Sequence, residues 1–310
     1  MIATVTLNPS LDRTVNVEEL VIDEANRWTS LHQDPGGKGI NVSRVVHELG
    51  GETIAYGFIG GIDGETLKHL LRQQGVPFDF TPIEGEIRSN FIITDLKTRR
   101  QTRIDAPGPH ILGRELRKLI QQITRIKPKP GFLVFAGSVP PGVPADIYRQ
   151  LIEKVKNSGI KTILDSDNQW LKEGIVAKPN IIKPNVHEAE ELLGTHLKDE
   201  AAIIEAVKTL ANQGIDVAII SRGRDGLIAA SEGKILKVTP PQVEVSSTVG
   251  AGDSTIAGLV LKLNQGHKID EACRWAVAAG TAATLTPGTE LCRREDVERL
   301  LPQVKVERLS

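Results

Sequence analysis

The sequence predicts an α/β protein of three layers, with helices on both faces of a mostly parallel central sheet and a small β-sheet set apart. Three observations carry this reading. Short, wholly apolar runs alternate with amphipathic helical patterns, as buried parallel strands and their crossovers require. Glycine and polar residues gather directly after those runs, where such sheets bind ligands. Two segments, 14–32 and 90–104, break the pattern and read as weak or exposed strands that pair as a sheet of their own.

Ile2 to Leu7 alternates as a first strand and stops at Asn8-Pro9-Ser10, with Asp12 just beyond. Asp34-Pro35-Gly36-Gly37-Lys38-Gly39 opens a helix whose apolar residues, Ile40, Val42, Val45, Val46 and Leu49, recur at helical spacing until Gly50-Gly51. Thr53 to Ile59 is a strand, Gly60 to Gly64 a turn, and Glu65 to Gln74 a helix. Asn90 to Ile104 carries a charged centre, Lys97 to Arg100, that suits an exposed hairpin. Phe132 to Phe135 is a buried strand, followed by the loop Gly137 to Gly142 and a helix on Ile147, Leu151, Ile152 and Val155. Lys161 to Leu164 ends in Asp165, and Ile181-Ile182 ends in Lys183-Pro184-Asn185. A short helix covers Glu188 to Leu193, and Asp199 caps the next one. Val217 to Ile220 ends in Ser221 to Gly226, and strands follow at Leu227 to Ala230 and Ile235 to Val238. The β-prone run Val243 to Val249 stops at Gly250-Ala251-Gly252-Asp253, where a helix begins. Further helices start near Asp270 and at Arg294.

Composition narrows the function classes. The chain has 310 residues, 40% hydrophobic and 25% charged, enough for a large core. A formal net charge of -1 gives no bulk electrostatic case for nucleic acid. Two cysteines, Cys273 and Cys292, without C-x-x-C spacing argue against a disulfide framework and a structural zinc, and fit a reducing cytoplasm. The N-terminus lacks a signal-peptide pattern, and no apolar run reaches membrane-spanning length.

Walker A, Rossmann G-x-G-x-x-G, H-E-x-x-H and G-x-S-x-G patterns are all missing from the sequence. What remains are two glycine-rich turns into helices, one with a lysine (Gly36-Gly37-Lys38-Gly39) and one with an acid (Gly250-Ala251-Gly252-Asp253). Helix starts aim free N–H groups and a positive dipole end at anions. A carboxylate there serves either as an N-cap or as the base for a hydroxyl that attacks a phosphoryl group. With the Asn, Ser and Lys loops between them, the two turns point to phosphoryl transfer.

The chain resembles the PfkB family of carbohydrate kinases, of ribokinase-like fold. The resemblance rests on five motifs in the family's order: Asn8-Pro9-Ser10-Leu11-Asp12, Gly36 to Val42, Gly137 to Gly142, Lys183-Pro184-Asn185 with Glu188, and Ser247 to Ser254. It implies one ribokinase-like kinase domain over 1–310, with a lid from segments of about 12–33 and 86–106. It implies Asp253 as general base and Gly250, Ala251 and Gly252 as the anion hole. Asp12, Gly36, Gly37, Asn41 and Ser138 would hold the sugar. Lys183, Asn185, Ser221, Gly223, Gly226, Thr248, Ala279 and Thr284 would face ATP, with Asp165 and Glu188 toward Mg²⁺ and K⁺ as a further cofactor. The partners implied are a sugar phosphate, ATP and a second copy of the chain through the lid.

Within the family the resemblance is to the branch acting on phosphorylated hexoses: minor 6-phosphofructokinases, 1-phosphofructokinases and tagatose-6-phosphate kinases. Arg27, Lys38, Arg88 and Arg103 are the cations available for the acceptor's phosphate. Val277 to Leu285, Gly288-Thr289 and Leu291-Cys292 look like the first of these groups, and Lys38 like the other two. Thr286-Pro287 departs from the Asn-Gln of the first group. Fructose 6-phosphate is the first expectation, with fructose 1-phosphate and tagatose 6-phosphate as alternatives. A catalytically silent sugar-phosphate or nucleotide-binding regulator is the reading from another class.

Overall fold

The run Ile2–Thr6 has no polar face, and it becomes a central strand buried along its whole length. The computed structural model describes residues 1–309. β1 (Ile2–Thr6) leads straight into β2 (Ser10–Val17), which pairs with β3 (Trp28–Gly36); then come α1 (Lys38–Glu48), β4 (Thr53–Ile59), α2 (Gly61–Gln73) and β5 (Phe78–Pro82). β6 (Arg88–Asp95) and β7 (Arg100–Ile104) form a hairpin, followed by α3 (Gly113–Thr124), β8 (Phe132–Ala136), α4 (Ile147–Lys156) and β9 (Lys161–Asp165). α5 (Asn168–Gly174), β10 (Ile181–Ile182), α6 (Val186–Leu193) and α7 (Glu200–Ala211) precede β11 (Val217–Ser221), β12 (Leu227–Ser231) and β13 (Lys234–Thr239). α8 (Ala251–Asn264), α9 (Ile269–Ala283), α10 (Arg294–Leu300) and β14 (Lys305–Arg308) complete the order.

The large sheet runs β14-β13-β12-β11-β10-β9-β8-β1-β4-β5. Pairing is parallel from β5 to β11 and antiparallel from β11 to β14. Alternate residues of each strand enter opposite cores. Phe132, Val134 and Ala136 pack with α1, α8, α9 and α10, while Leu133 and Phe135 pack with α3 to α7. Each of the Phe, Val and Leu side chains contributes about 1.5–3 kcal/mol by leaving water. The three-layer α/β/α expectation holds. Among the described residues, no helix is long and apolar enough to cross a membrane.

The second sheet runs β3-β2-β6-β7. Its register puts Asp12 opposite both Asn90 and Asp34, and Ser10 opposite both Arg88 and Gly36. The two odd segments therefore do pair with each other. Their strands extend to Ser10 and Gly36, beyond the expected limits.

Four local expectations change. Gly61 to Gly64 is not a turn but the first turn of α2, where Asp63 lies near the helix start and pairs with Arg13 (2.7 Å). Val243 to Val249, β-prone in sequence, is a loop, in which the Ser246 and Ser247 N–H groups both donate to the Thr284 carbonyl. β5 and β14 escape the pattern as the two edge strands of the sheet, half solvated and without clean alternation. α3 is a further element not read from the sequence, although Leu116, Leu119, Ile120 and Ile123 share one helical face.

Candidate active site

Five parallel strands stop at one edge, and the residues that follow them converge there. In-register pairing of β1, β8 and β9 brings the loop at Asn8, Gly137 and Asp165 level, and β10 and β11 add Lys183 and Ser221. Asp165, Lys183 and Ser221 border a cavity of about 920 Å³ that also takes in the start of α8 and one face of α9.

α8 begins at Gly250, which is in the left-handed conformation (φ 74°). A Cβ there would sit 2.4 Å from the end of the Leu291 side chain, which would have to move, so the positive φ is the main reason for glycine. No side chain caps this helix. Ser254 is the first residue to close a helical bond, donating to the Gly250 carbonyl at 2.9 Å. Of the residues before it, which line the cavity at the positive end of the helix dipole, Ala251 donates its N–H to the Thr248 carbonyl (3.4 Å), while the N–H groups of Gly252 and Asp253 have no backbone acceptor among the described residues. Asp253 is therefore not an N-cap. It is buried, and its Oδ2 accepts a 2.8 Å hydrogen bond from Asn41 Nδ2. Burial and then nearby Asp165 push its pKa up to about 6, against the pull of Lys38, Asn41 and Lys183.

Lys183 is buried, with Nζ 3.4 Å from Asp165 Oδ1, and Lys38 Nζ lies 4.0 Å from the same oxygen. Asp165, expected toward a metal, also stands between the two ammonium groups near Asp253. Lys38 was expected at the acceptor's phosphate. It lines the cavity with Lys183 and Asp253, and Asp165 first, then Asp253 and Glu188, hold its pKa well above the usual lysine range.

Asn185 and Glu188 form a capping box on α6: Asn185 Oδ1 accepts from the Glu188 N–H (2.9 Å) and Glu188 Oε2 from the Asn185 N–H (2.8 Å). Both still line the cavity, and burial raises the Glu188 pKa. Ser221, Gly223, Gly226, Thr248 and Thr284 line it as well. Ala279 does not. It is fully buried in the core, because α9 turns Val277, Gly280, Thr281 and Thr284 toward the cavity and Ala279 away.

The second sheet carries Asp12, Gly36 and Arg88, which do not border that cavity. Asp12 is buried, and its Oδ1 accepts from Ser10 (2.7 Å) and Asn90 (2.9 Å). Burial raises its pKa. A Cβ on Gly36 would lie 2.4 Å from the other Asp12 oxygen, and one on Gly37 (φ 113°) 2.7 Å from Thr6. Ser138 Oγ accepts from Asn8 Nδ2 (3.1 Å). Arg88 donates to the carbonyls of Asn8 (3.2 Å) and Ala106 (3.1 Å). Arg103 pairs with Asp105 and is exposed. Arg27 sits in the exposed loop between β2 and β3, and the structure does not bring it to the cavity. Sequence reasoning missed Asp34, Arg44 and Thr289, which form a polar chain behind Asn41. The one available signal was Arg44 itself, a cation three residues after Asn41 on the same helical face.

Residues 5–296 match the family described as pfkB family carbohydrate kinase. The chain is 34% identical over 309 residues to 1-phosphofructokinase of Bacillus subtilis, covering 100% of both chains. It is 32% identical to tagatose-6-phosphate kinase of Staphylococcus epidermidis, covering 99% of both. Phosphofructokinase-2 from Escherichia coli, solved in complex with potassium, superposes with a TM-score of 0.94 at 33% identity, covering 97% of this chain and 98% of that one.

Proposed function

The chain belongs to the pfkB family of carbohydrate kinases, phosphotransferases that act on a hydroxyl group, and on that premise we propose a hexose phosphate as its acceptor. Fructose 6-phosphate stands first, phosphorylated by ATP to fructose 1,6-bisphosphate, with fructose 1-phosphate and tagatose 6-phosphate as alternatives. The observation that carries the kinase chemistry is Asp253: a buried carboxyl with a pKa near 6, in the first turn of an uncapped helix, with Lys38 and Lys183 beside it. Asp253 takes the proton of the attacking hydroxyl. The helix-start amides and the two lysines meet the charge on the transferring phosphoryl, while Asp12 and Asn90 orient the sugar.

The proposed metal is Mg²⁺, with K⁺ as a further activator. Among the described residues there is no cluster of three or more His, Cys, Asp or Glu side chains for a metal. That fits Mg²⁺, which takes one or two carboxylates together with substrate phosphates and water. Glu188 is the carboxylate in place for it; the ion would neutralise charge on the phosphates.

The test is an acceptor panel of the three hexose phosphates and their unphosphorylated sugars, compared by kcat/KM. The expected outcome is turnover of at least one phosphorylated hexose and a loss of at least 100-fold with its neutral sugar. Equal turnover of the neutral sugars would sink the hexose-phosphate reading.

We also propose a homodimer through the lid. Register places Leu31, Phe91 and Ile104 on the face opposite Asp12, and they are 41%, 39% and 56% exposed. Three apolar side chains on one open sheet face call for a cover. Phe91→Asp with Ile104→Asp is expected to halve the particle mass in light scattering; an unchanged mass would exclude this face.

A further inference from the structure

Arg44 lies one turn beyond Asn41 on α1, outside every motif named above, yet its side chain is only 10% exposed. A guanidinium is held this far from water only where its donors are met. Nη2 lies 3.1 Å from Asp34 Oδ1 on β3. Nη1 donates to the Pro35 carbonyl (3.0 Å) and to Asn41 Oδ1 (3.4 Å), and Nε donates to Gln74 Oε1 (2.8 Å).

The partners lead in two directions. Arg44 occupies the oxygen of the Asn41 amide, so the amide's NH₂ end faces Asp253 and donates to it. Were the amide reversed, its oxygen would oppose the carboxylate. In the other direction, the second Asp34 oxygen accepts from Thr289 Oγ1 at 2.6 Å, and Thr289 lies 3.4 Å from Thr14 of β2. Thr289 follows Gly288, whose carbonyl accepts from Ser247 Oγ (2.8 Å), and that hydroxyl also accepts from the Val249 N–H (3.3 Å) just before the anion-hole turn. Asp34 itself sits opposite Asp12 in the lid register.

We propose that Arg44 is a positioning residue that ties the lid to the catalytic base. Through Asn41 it fixes the hydrogen bond to Asp253, and through Asp34 and Thr289 it locks the acceptor-bearing strands to the loop before the anion hole. An acceptor that seats β2 and β3 thereby also sets the base. This rests on the kinase reading and adds a coupling to it.

The groups facing Asp253 are Asp165 on β9, Lys183 after β10, and Lys38 and Asn41 on α1, with Arg44 behind Asn41. Asn41 and the cations favour the carboxylate. Losing Arg44 therefore raises the Asp253 pKa and moves the acid limb of kcat to higher pH. Arg44→Met is expected to shift that limb up by about one pH unit and lower kcat about tenfold at pH 7, with nucleotide KM within about twofold. Thr289→Val is expected to raise acceptor KM several-fold with little change in nucleotide KM. Titration of the Asp253 carboxyl carbon by NMR, in wild type and Arg44→Met, reads the same shift without turnover. A folded Arg44→Met protein with unmoved acid limb and unmoved carboxyl titration overturns the proposal. Should that variant not fold, an Arg44→Lys protein with a wild-type titration and a Thr289→Val protein with wild-type acceptor KM overturn it together. Absence of wild-type turnover on the whole panel would instead refute the kinase reading, and the titration would still decide the coupling.

Discussion

Asp253→Asn lowers kcat by about 10³-fold while nucleotide affinity stays within a few-fold of wild type. The substitution keeps shape and polarity, so the 2.8 Å donor from Asn41 still finds an oxygen. What is lost is the proton acceptor at the start of α8. Wild-type turnover falls as pH drops through about 6, where Asp253 takes up its proton, and the residual turnover of the variant lacks that limb. The same group sets a stability trend of opposite use. Its folded pKa is raised from an ordinary 3.8 to about 6, so the folded state binds the proton more tightly than the unfolded chain does. Its contribution to stability is present below pH 4, declines between about 4 and 6, and is gone above. Asparagine removes the buried charge and is expected to stabilise the fold by roughly 2 kcal/mol at pH 7 to 8, seen as a higher Tm. An active Asp253→Asn enzyme, or one with the wild-type acid limb, would remove Asp253 from the role of base.

The layout of the site could be read from the sequence for a physical reason. In an alternating βα pattern, residues that follow apolar runs must emerge at one edge of the sheet. Asp165, Lys183, Ser221 and Asp253 follow from that rule and a turn signal each. The second sheet was legible by contrast: segments 14–32 and 90–104 are too polar and too broken for a sheet buried on both faces. Pair identity was not legible. The Asp34–Thr289 hydrogen bond joins residues 255 positions apart, and nothing local to either names the other. Helix phase was the second blind spot. Ala279 and Gly280 are neighbours in sequence, but only the second faces the cavity, and that choice depends on how α9 rests against α8. Charge roles were the third. Lys38 and Asp165 could be placed at the site from their positions, but a carboxylate flanked by two ammonium groups emerges only when strands β9 and β10 and helix α1 are assembled.

Lys38 has two candidate roles, and Lys38→Met separates them. As a clamp for the acceptor's phosphate, the lysine would act before the reaction, and its loss would raise acceptor KM with kcat kept. As a cation beside Asp253, it acts on charge that develops in the transition state, and its loss appears in kcat. The geometry favours the second. Lys38 shares Asp165 Oδ1 with Lys183, and with Asp253 it lines the cavity, which Arg88 and Arg103 do not border. The expected result is a kcat about 10²- to 10³-fold lower, with acceptor KM within about threefold. A second signature follows from the surroundings of the base. Lys38 is the strongest of the groups that pull the Asp253 pKa down, so its removal drives that pKa above 6. The acid limb of the residual activity then moves to higher pH, and a larger share of the enzyme is protonated at neutrality. A clamp on the far side of the sugar would leave that limb in place. Retained kcat with a tenfold higher acceptor KM and an unmoved acid limb would return Lys38 to the acceptor's phosphate.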